Sequence, residues 1–295
     1  MVADRSAEYE ALLQAAPAGC PTTRLDVTLD GAIAAGSWPL VVYSHCHECL
    51  GVSGASVARR LATWGYIVIA PDHVDNTLWD QVDGTNVDLG SAFLEVRGQD
   101  VIGLIDAALA GAAPFADLTP NIDSGAIAVV GHSFGAVTAG YVAERDPRIV
   151  AMAALAAPVE NPLIAGVTAA NIMVPTMMLV AVEDNSITEF GNTMIRTNYE
   201  ALGGPATKVE VADAGHWSVS DVCGVAEMFM PGCGEDNRQT DGSAFTYLPA
   251  DRGREIAAAW VTAHFESTVR ESDEALVWID GNQDPEIDLS VRNSD

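Results

Sequence analysis

A chain of 295 residues with 49% hydrophobic content is long enough to bury a large core. Its formal charge of −27, from 41 acidic residues against 14 basic ones with Lys208 the sole lysine, repels phosphate backbones and anionic membranes, so no nucleic-acid partner is expected. No apolar run reaches the roughly 18 to 20 residues of a membrane helix, so no transmembrane segment is expected either.

The N-terminus Met1-Val2-Ala3-Asp4-Arg5-Ser6 lacks the basic and apolar regions of a secretory signal. The expectation is a secreted or periplasmic protein whose signal lies outside this sequence, with a cytoplasmic location as the alternative. Without a composition break or repeat, the chain reads as one domain over 1–295, with its core at about 23–270. Residues 23–29 are a candidate antiparallel edge strand. From residue 40 onward, short apolar strands at 40–44, 66–70, 126–130, 149–155, 176–182 and 208–212 alternate with helical patterns at 54–64, 93–110, 134–144, 191–202 and 254–266. That alternation predicts an α/β fold, a mostly parallel central sheet covered by helices on both faces. The polar, glycine-containing stretches at about 75–90 and 222–247 read as long loops over the carboxyl ends of the strands, where open α/β sheets bind their ligands. The tail after Ser272 is acidic and weakly periodic, and no chemistry is assigned to it.

The pentapeptide Gly131-His132-Ser133-Phe134-Gly135 joins the apolar run ending at Val130 to a small-residue helix. A strand that turns into a helix with almost no loop needs glycines flanking the turn and leaves the central serine exposed above the sheet, the nucleophile elbow of an α/β-hydrolase. A serine hydroxyl is a weak nucleophile and needs a base that a third group orients. The strand at 176–182 runs into Glu183-Asp184-Asn185 at the carboxyl edge of the sheet, and Asp184 is preferred over Glu183 because it falls on the turn facing the site. Of the six histidines, His216 alone lies after this acid and directly past a strand, whereas His264 reads as structural. Ser133, Asp184, His216 is the chain order of α/β-hydrolases. Two backbone N–H groups complete such a site. One belongs to Phe134, the other to the loop Ser44-His45-Cys46-His47-Glu48-Cys49, with His45 holding that loop and His47 offering its main-chain N–H and a side chain to the pocket wall. Trp217 beside the base and Trp79 in the first long loop are candidates to line an acyl site with Phe134, or else are simply packed.

Five cysteines leave at least one thiol unpaired. Cys223 and Cys233 bracket a short loop containing Pro231-Gly232, which suggests a disulfide between them, with a reduced pair as the alternative. Cys46-His47-Glu48-Cys49 resembles half a zinc site, but no second pair of ligands is spaced to complete it, so no metal is expected.

The ordered segments Pro39-Leu40-Val41-Val42-Tyr43-Ser44-His45, Gly65-Tyr66-Ile67-Val68-Ile69-Ala70-Pro71-Asp72-His73, the elbow, Val174-Pro175-Thr176 and Ala214-Gly215-His216-Trp217-Ser218-Val219-Ser220-Asp221 resemble the platelet-activating-factor acetylhydrolase and dienelactone-hydrolase-like branch of the α/β-hydrolases, which includes bacterial polyester hydrolases. The resemblance implies ester hydrolysis by Ser133, His216 and Asp184 without a cofactor, on a small-molecule or polymeric ester, with His47 as the second oxyanion donor. Cys46 stands where relatives usually carry glycine. Dienelactone hydrolases proper use a cysteine nucleophile, so Ser133 points away from that specific activity. Short to medium acyl esters or small aromatic esters are the expected substrates. A polyester hydrolase, an acyltransferase, a peptidase or amidase, and a catalytically silent binding module on the same scaffold are the alternatives.

Overall fold

Valine, isoleucine, methionine and alanine run almost unbroken through the central strands, and a strand of that composition gains most when both its faces are covered. The computed structural model describes residues 5–17, 19–20, 27–282 and 284–293. In its first half the elements are α1 (Ser6–Ala15), β1 (Trp38–Ser44), α2 (Ala55–Thr63), β2 (Ile67–Ile69), α3 (Leu78–Asp83), α4 (Ser91–Ala110), β3 (Ile122–His132), α5 (Phe134–Arg145) and β4 (Ile149–Leu155). The second half adds β5 (Thr176–Ala181), α6 (Thr188–Ala201), β6 (Ala206–Val211), β7 (Glu235–Asn237), β8 (Ala244–Thr246), α7 (Ala250–Val269), α8 (Asp273–Gly281) and β9 (Ile287–Arg292). Seven strands form one sheet in the order β2-β1-β3-β4-β5-β6-β9, and only β9 runs antiparallel to its neighbour. This is the expected mostly parallel α/β-hydrolase architecture.

The two-residue period of the strands sorts the core into two layers. Leu40, Val42, Ile127, Val129, Met178 and Val180 pack with Leu94, Ile105, Val137 and Ile195 from α4, α5 and α6. Their alternates Val41, Tyr43, Ala128, Val130, Met177 and Leu179 pack with Val57, Leu61, Trp260 and Phe265 from α2 and α7. Each fully buried side chain of this kind contributes about 1.5–3 kcal/mol. A third apolar cluster, containing Cys46, Cys49, Leu78, Trp79, Trp217 and Phe229, gathers the loops that follow the strands, and α1 packs on it through Tyr9, Leu12 and Leu13.

Three segments differ from the sequence expectation. The stretch at 75–90 is not purely loop: it carries α3, started by a reciprocal capping box between Thr77 and Asp80. The stretch at 222–247 carries the hairpin of β7 and β8. Past residue 270, where the core was expected to end, α8 packs against the second layer through Ile279, and β9 extends the sheet with Ile287 opposite Val211 and Leu289 opposite Val209. The candidate edge strand at 23–29 lies mostly outside the described residues, and its described part, 27–29, is exposed and carries no strand.

Candidate active site

β3 feeds straight into α5, and Ser133 makes the turn with φ 55° and ψ −123°, a conformation that a side chain rarely adopts. Its N–H donates to the Leu155 carbonyl at 2.9 Å, which ties the turn to β4. The flanking glycines are steric requirements. A Cβ on Gly131 would stand 1.9 Å from the Gly135 carbonyl oxygen, and one on Gly135 would stand 1.9 Å from that of Ser44. The elbow therefore rests directly on the loop that leaves β1.

The end of β6 brings His216 over the elbow, and the end of β5 brings Asp184 behind it. His216 Nε2 is 2.8 Å from Ser133 Oγ, and His216 Nδ1 is 2.7 Å from Asp184 Oδ2. A carboxylate can only accept, so Nδ1 carries the proton and Nε2 is left to accept the serine hydroxyl. Asp184 is fully buried, and its other oxygen accepts the N–H groups of Ser186 and Ile187, both at 2.9 Å. Those two bonds fix the carboxylate's orientation towards the imidazole. Glu183 points elsewhere: it accepts from Arg238 at 2.9 Å and from the Gln239 N–H at 2.9 Å, and so anchors the turn of the β7–β8 hairpin. His264 donates to the Met152 carbonyl at 3.0 Å within the core, and burial pulls its pKa down to about 4, in keeping with a structural role.

His132 was not singled out from the sequence. Its Nε2 donates to the His216 main-chain carbonyl at 2.9 Å, and burial holds its pKa near 3, so the ring beside the candidate base stays neutral.

The loop after β1 is closed on itself by a disulfide between Cys46 and Cys49, so the C-x-x-C pair is a covalent clasp around His47 rather than half a metal site. His45, buried, donates from Nδ1 to the Cys46 carbonyl at 2.6 Å and accepts the His73 N–H at Nε2 at 2.9 Å, which is the loop-holding role expected of it. The His47 ring stands edge-on to Phe134 with centroids 6.3 Å apart. Phe134 opens α5, where a helix leaves its first N–H groups without intrahelical partners. A second residue missed from the sequence, Arg97 on α4, is fully buried and reaches this loop. It occupies a position on the apolar stripe of Leu94, Val101 and Ile105, and a charge on a buried stripe was the available signal.

The expected disulfide between Cys223 and Cys233 is not formed. Cys233 pairs with Cys20, and Cys223 is a buried free thiol whose pKa burial pushes up to about 12. The physical reason lies in the loop: Gly224 donates to the Phe229 carbonyl at 2.9 Å, so residues 224–229 close as their own turn over buried Phe229, while Cys233 meets Cys20 from the segment after α1. Trp217 is almost completely buried, edge-on to His216 at 4.8 Å and tilted on Phe229 at 4.6 Å. Trp79 belongs to the same cluster but is covered by α1, with Tyr9 against its edge at 6.4 Å and the Arg5 guanidinium 4.4 Å over its face.

The chain matches known proteins at two levels. The family model of the dienelactone hydrolase family covers residues 28–216, from ahead of β1 to His216, and the chain belongs to that family. It is a carboxylic ester hydrolase. Among solved structures, a ferulic acid esterase from Streptomyces cinnamoneus is similar at a TM-score of 0.66 and 20% sequence identity, over 88% of this chain and 75% of that one. At that identity the likeness speaks for the fold. No curated protein matches the chain.

Proposed function

We propose that this member of the dienelactone hydrolase family cleaves short to medium acyl esters or small aromatic esters through an acyl-enzyme on Ser133. His216 takes the hydroxyl proton as Ser133 Oγ adds to the ester carbonyl, and Asp184 holds the resulting imidazolium. The negative charge on the former carbonyl oxygen is met by the N–H groups of Phe134 and His47. His216 then returns the proton to the departing alcohol, and a water activated by the same histidine releases the acid.

One observation carries this reading: the unbroken run of hydrogen bonds from Ser133 through His216 to Asp184, at 2.8 and 2.7 Å, starting from a serine on a strained strand-to-helix turn. Trp217 enters the mechanism as the ring packed edge-on with His216. The small aromatic ester class draws support from the named substrate of the solved ferulic acid esterase, whose fold this chain shares. The test is a p-nitrophenyl ester series from acetate to palmitate together with methyl ferulate. A profile that peaks at short chains or at the ferulate supports the substrate class, and a peak at palmitate contradicts it.

A further inference from the structure

We propose that Arg97 is the positioning residue of the oxyanion hole, a single guanidinium that holds both of its halves. This rests on the reading that the N–H groups of Phe134 and His47 form that hole.

The contacts are specific to the two halves. One terminal nitrogen of Arg97 donates to Ser44 Oγ at 3.0 Å and also to the His45 carbonyl, the first two residues of the loop that carries His47. The other donates to Asn76 Oδ1 at 2.7 Å. The amide of Asn76 is thereby turned so that Nδ2 donates to His47 Nδ1 at 2.6 Å, which leaves the His47 Nε2–H facing Glu48 at 3.4 Å. On the opposite side, the guanidinium carbon lies 4.7 Å over the Phe134 ring. Ser44, fixed by Arg97, donates its hydroxyl to His73 Nε2 at 3.0 Å, and the His73 main-chain N–H in turn donates to His45 Nε2. Every residue from Ser44 to His47 that has a polar side chain is therefore tied, directly or through one partner, to Arg97.

Burying a guanidinium is expensive, and the three oxygens that it bonds here are all neutral. Burial pulls the group down to about 9 with Asp100 opposing, so it remains cationic at neutral pH. A methionine or leucine would complete the apolar stripe of α4 at lower cost. Arg97 differs from those in three respects: a fixed fork that spans separate acceptors, a flat face for Phe134, and a positive charge in a low-dielectric region next to the site where negative charge develops.

The experiment compares Arg97→Met, Arg97→Lys and Asn76→Ala with the intact protein on p-nitrophenyl acetate, and measures inhibition by an aryl trifluoromethyl ketone, whose serine adduct carries the oxyanion. Arg97→Met is expected to lower kcat by about 10²-fold, the scale of losing one oxyanion donor. KM should stay within about threefold, as for an interaction made only in the transition state. Ketone affinity should fall by the same factor as kcat. Arg97→Lys, a point charge without the fork, should recover only part of the loss, and Asn76→Ala should lie between. Wild-type kcat in a folded Arg97→Met protein, or a loss confined to KM, overturns the proposal. Where Arg97→Met does not fold, the same comparison of kcat, KM and ketone affinity in Arg97→Lys and Ser44→Ala decides it. Ser133→Ala separates the two levels: an inactive Ser133→Ala beside a fully active Arg97→Met removes only the Arg97 role, whereas a turning-over Ser133→Ala overturns both.

Discussion

At the scale of single residues, groups that neighbour one another in the chain have different surroundings. Asp184 and Glu183 are adjacent carboxylates, yet one is bound to the imidazole and two backbone amides while the other neutralises Arg238 of the hairpin. Replacing Asp184 by asparagine keeps the shape and changes the tautomer that it favours, so kcat should fall by about 10⁴-fold. Glu183→Gln should leave kcat within a few-fold and lower thermal stability instead, because it releases Arg238. Steady-state kinetics and a melting curve on the two variants check this, and a larger loss of kcat from Glu183→Gln would reverse the assignment. The cysteines give a second residue-level prediction. With Cys20–Cys233 and Cys46–Cys49 formed, the intact mass should lie about four daltons below the fully reduced value, two for each bridge. A thiol reagent should find Cys223 only after unfolding, since it is buried and held protonated. Rapid labelling of the native protein would contradict that burial.

At the scale of elements, the elbow works because β3, α5 and the loop after β1 approach to backbone contact. Gly135→Ala places a methyl group on the Ser44 carbonyl, so either α5 or the loop after β1 must move. The expected outcome is loss of esterase activity with a lowered melting temperature, and an active, stable variant would show that the contact is slack. The Cys20–Cys233 bridge closes a separation of 213 residues between the segment after α1 and the foot of the β7–β8 hairpin. Replacing both cysteines by serine should cost roughly 2–4 kcal/mol in a denaturant titration. Much of this level was legible in the sequence: the strand β4 and the start of α5 fall where the apolar runs place them, because buried parallel strands write continuous apolar text. Elements whose partners are distant were not legible. The Cys20–Cys233 pairing depends on two segments meeting across the fold, and α3 and the β7–β8 hairpin are short pieces within polar stretches that carry almost no periodicity. β9 does alternate, as Ile287, Leu289 and Val291 between polar residues, but so short a run in an acidic tail gives no hint that β6 waits for it. In the site, Ser133, Asp184 and His216 could be read from chain order and from their positions past strand ends. Arg97 left only the mark of a charge on the apolar stripe of α4, because its partners on the loop after β1 are brought to it by the fold.

For the molecule as a whole, the residues of the site all sit at the carboxyl ends of strands: Ser133 after β3, Asp184 after β5, His216 after β6, and the His47 loop after β1. Around that centre the chain carries −27 charges, and self-repulsion of that size opposes the compact state. Salt screens it over a Debye length of about 10 Å at 0.1 M. The melting temperature should therefore rise as sodium chloride is increased, and a flat or falling profile would show that local ion pairs, not net repulsion, govern the balance. Under the proposed mechanism, ester turnover passes through Ser133. The most direct test is to expose the intact protein to a fluorophosphonate probe and locate the adduct by peptide mass mapping while residual esterase activity is followed. The expected outcome is a single phosphonyl adduct on Ser133, forming in step with loss of activity and absent in Ser133→Ala. Full activity with Ser133 unmodified, or an adduct on another residue that tracks the loss, would contradict it.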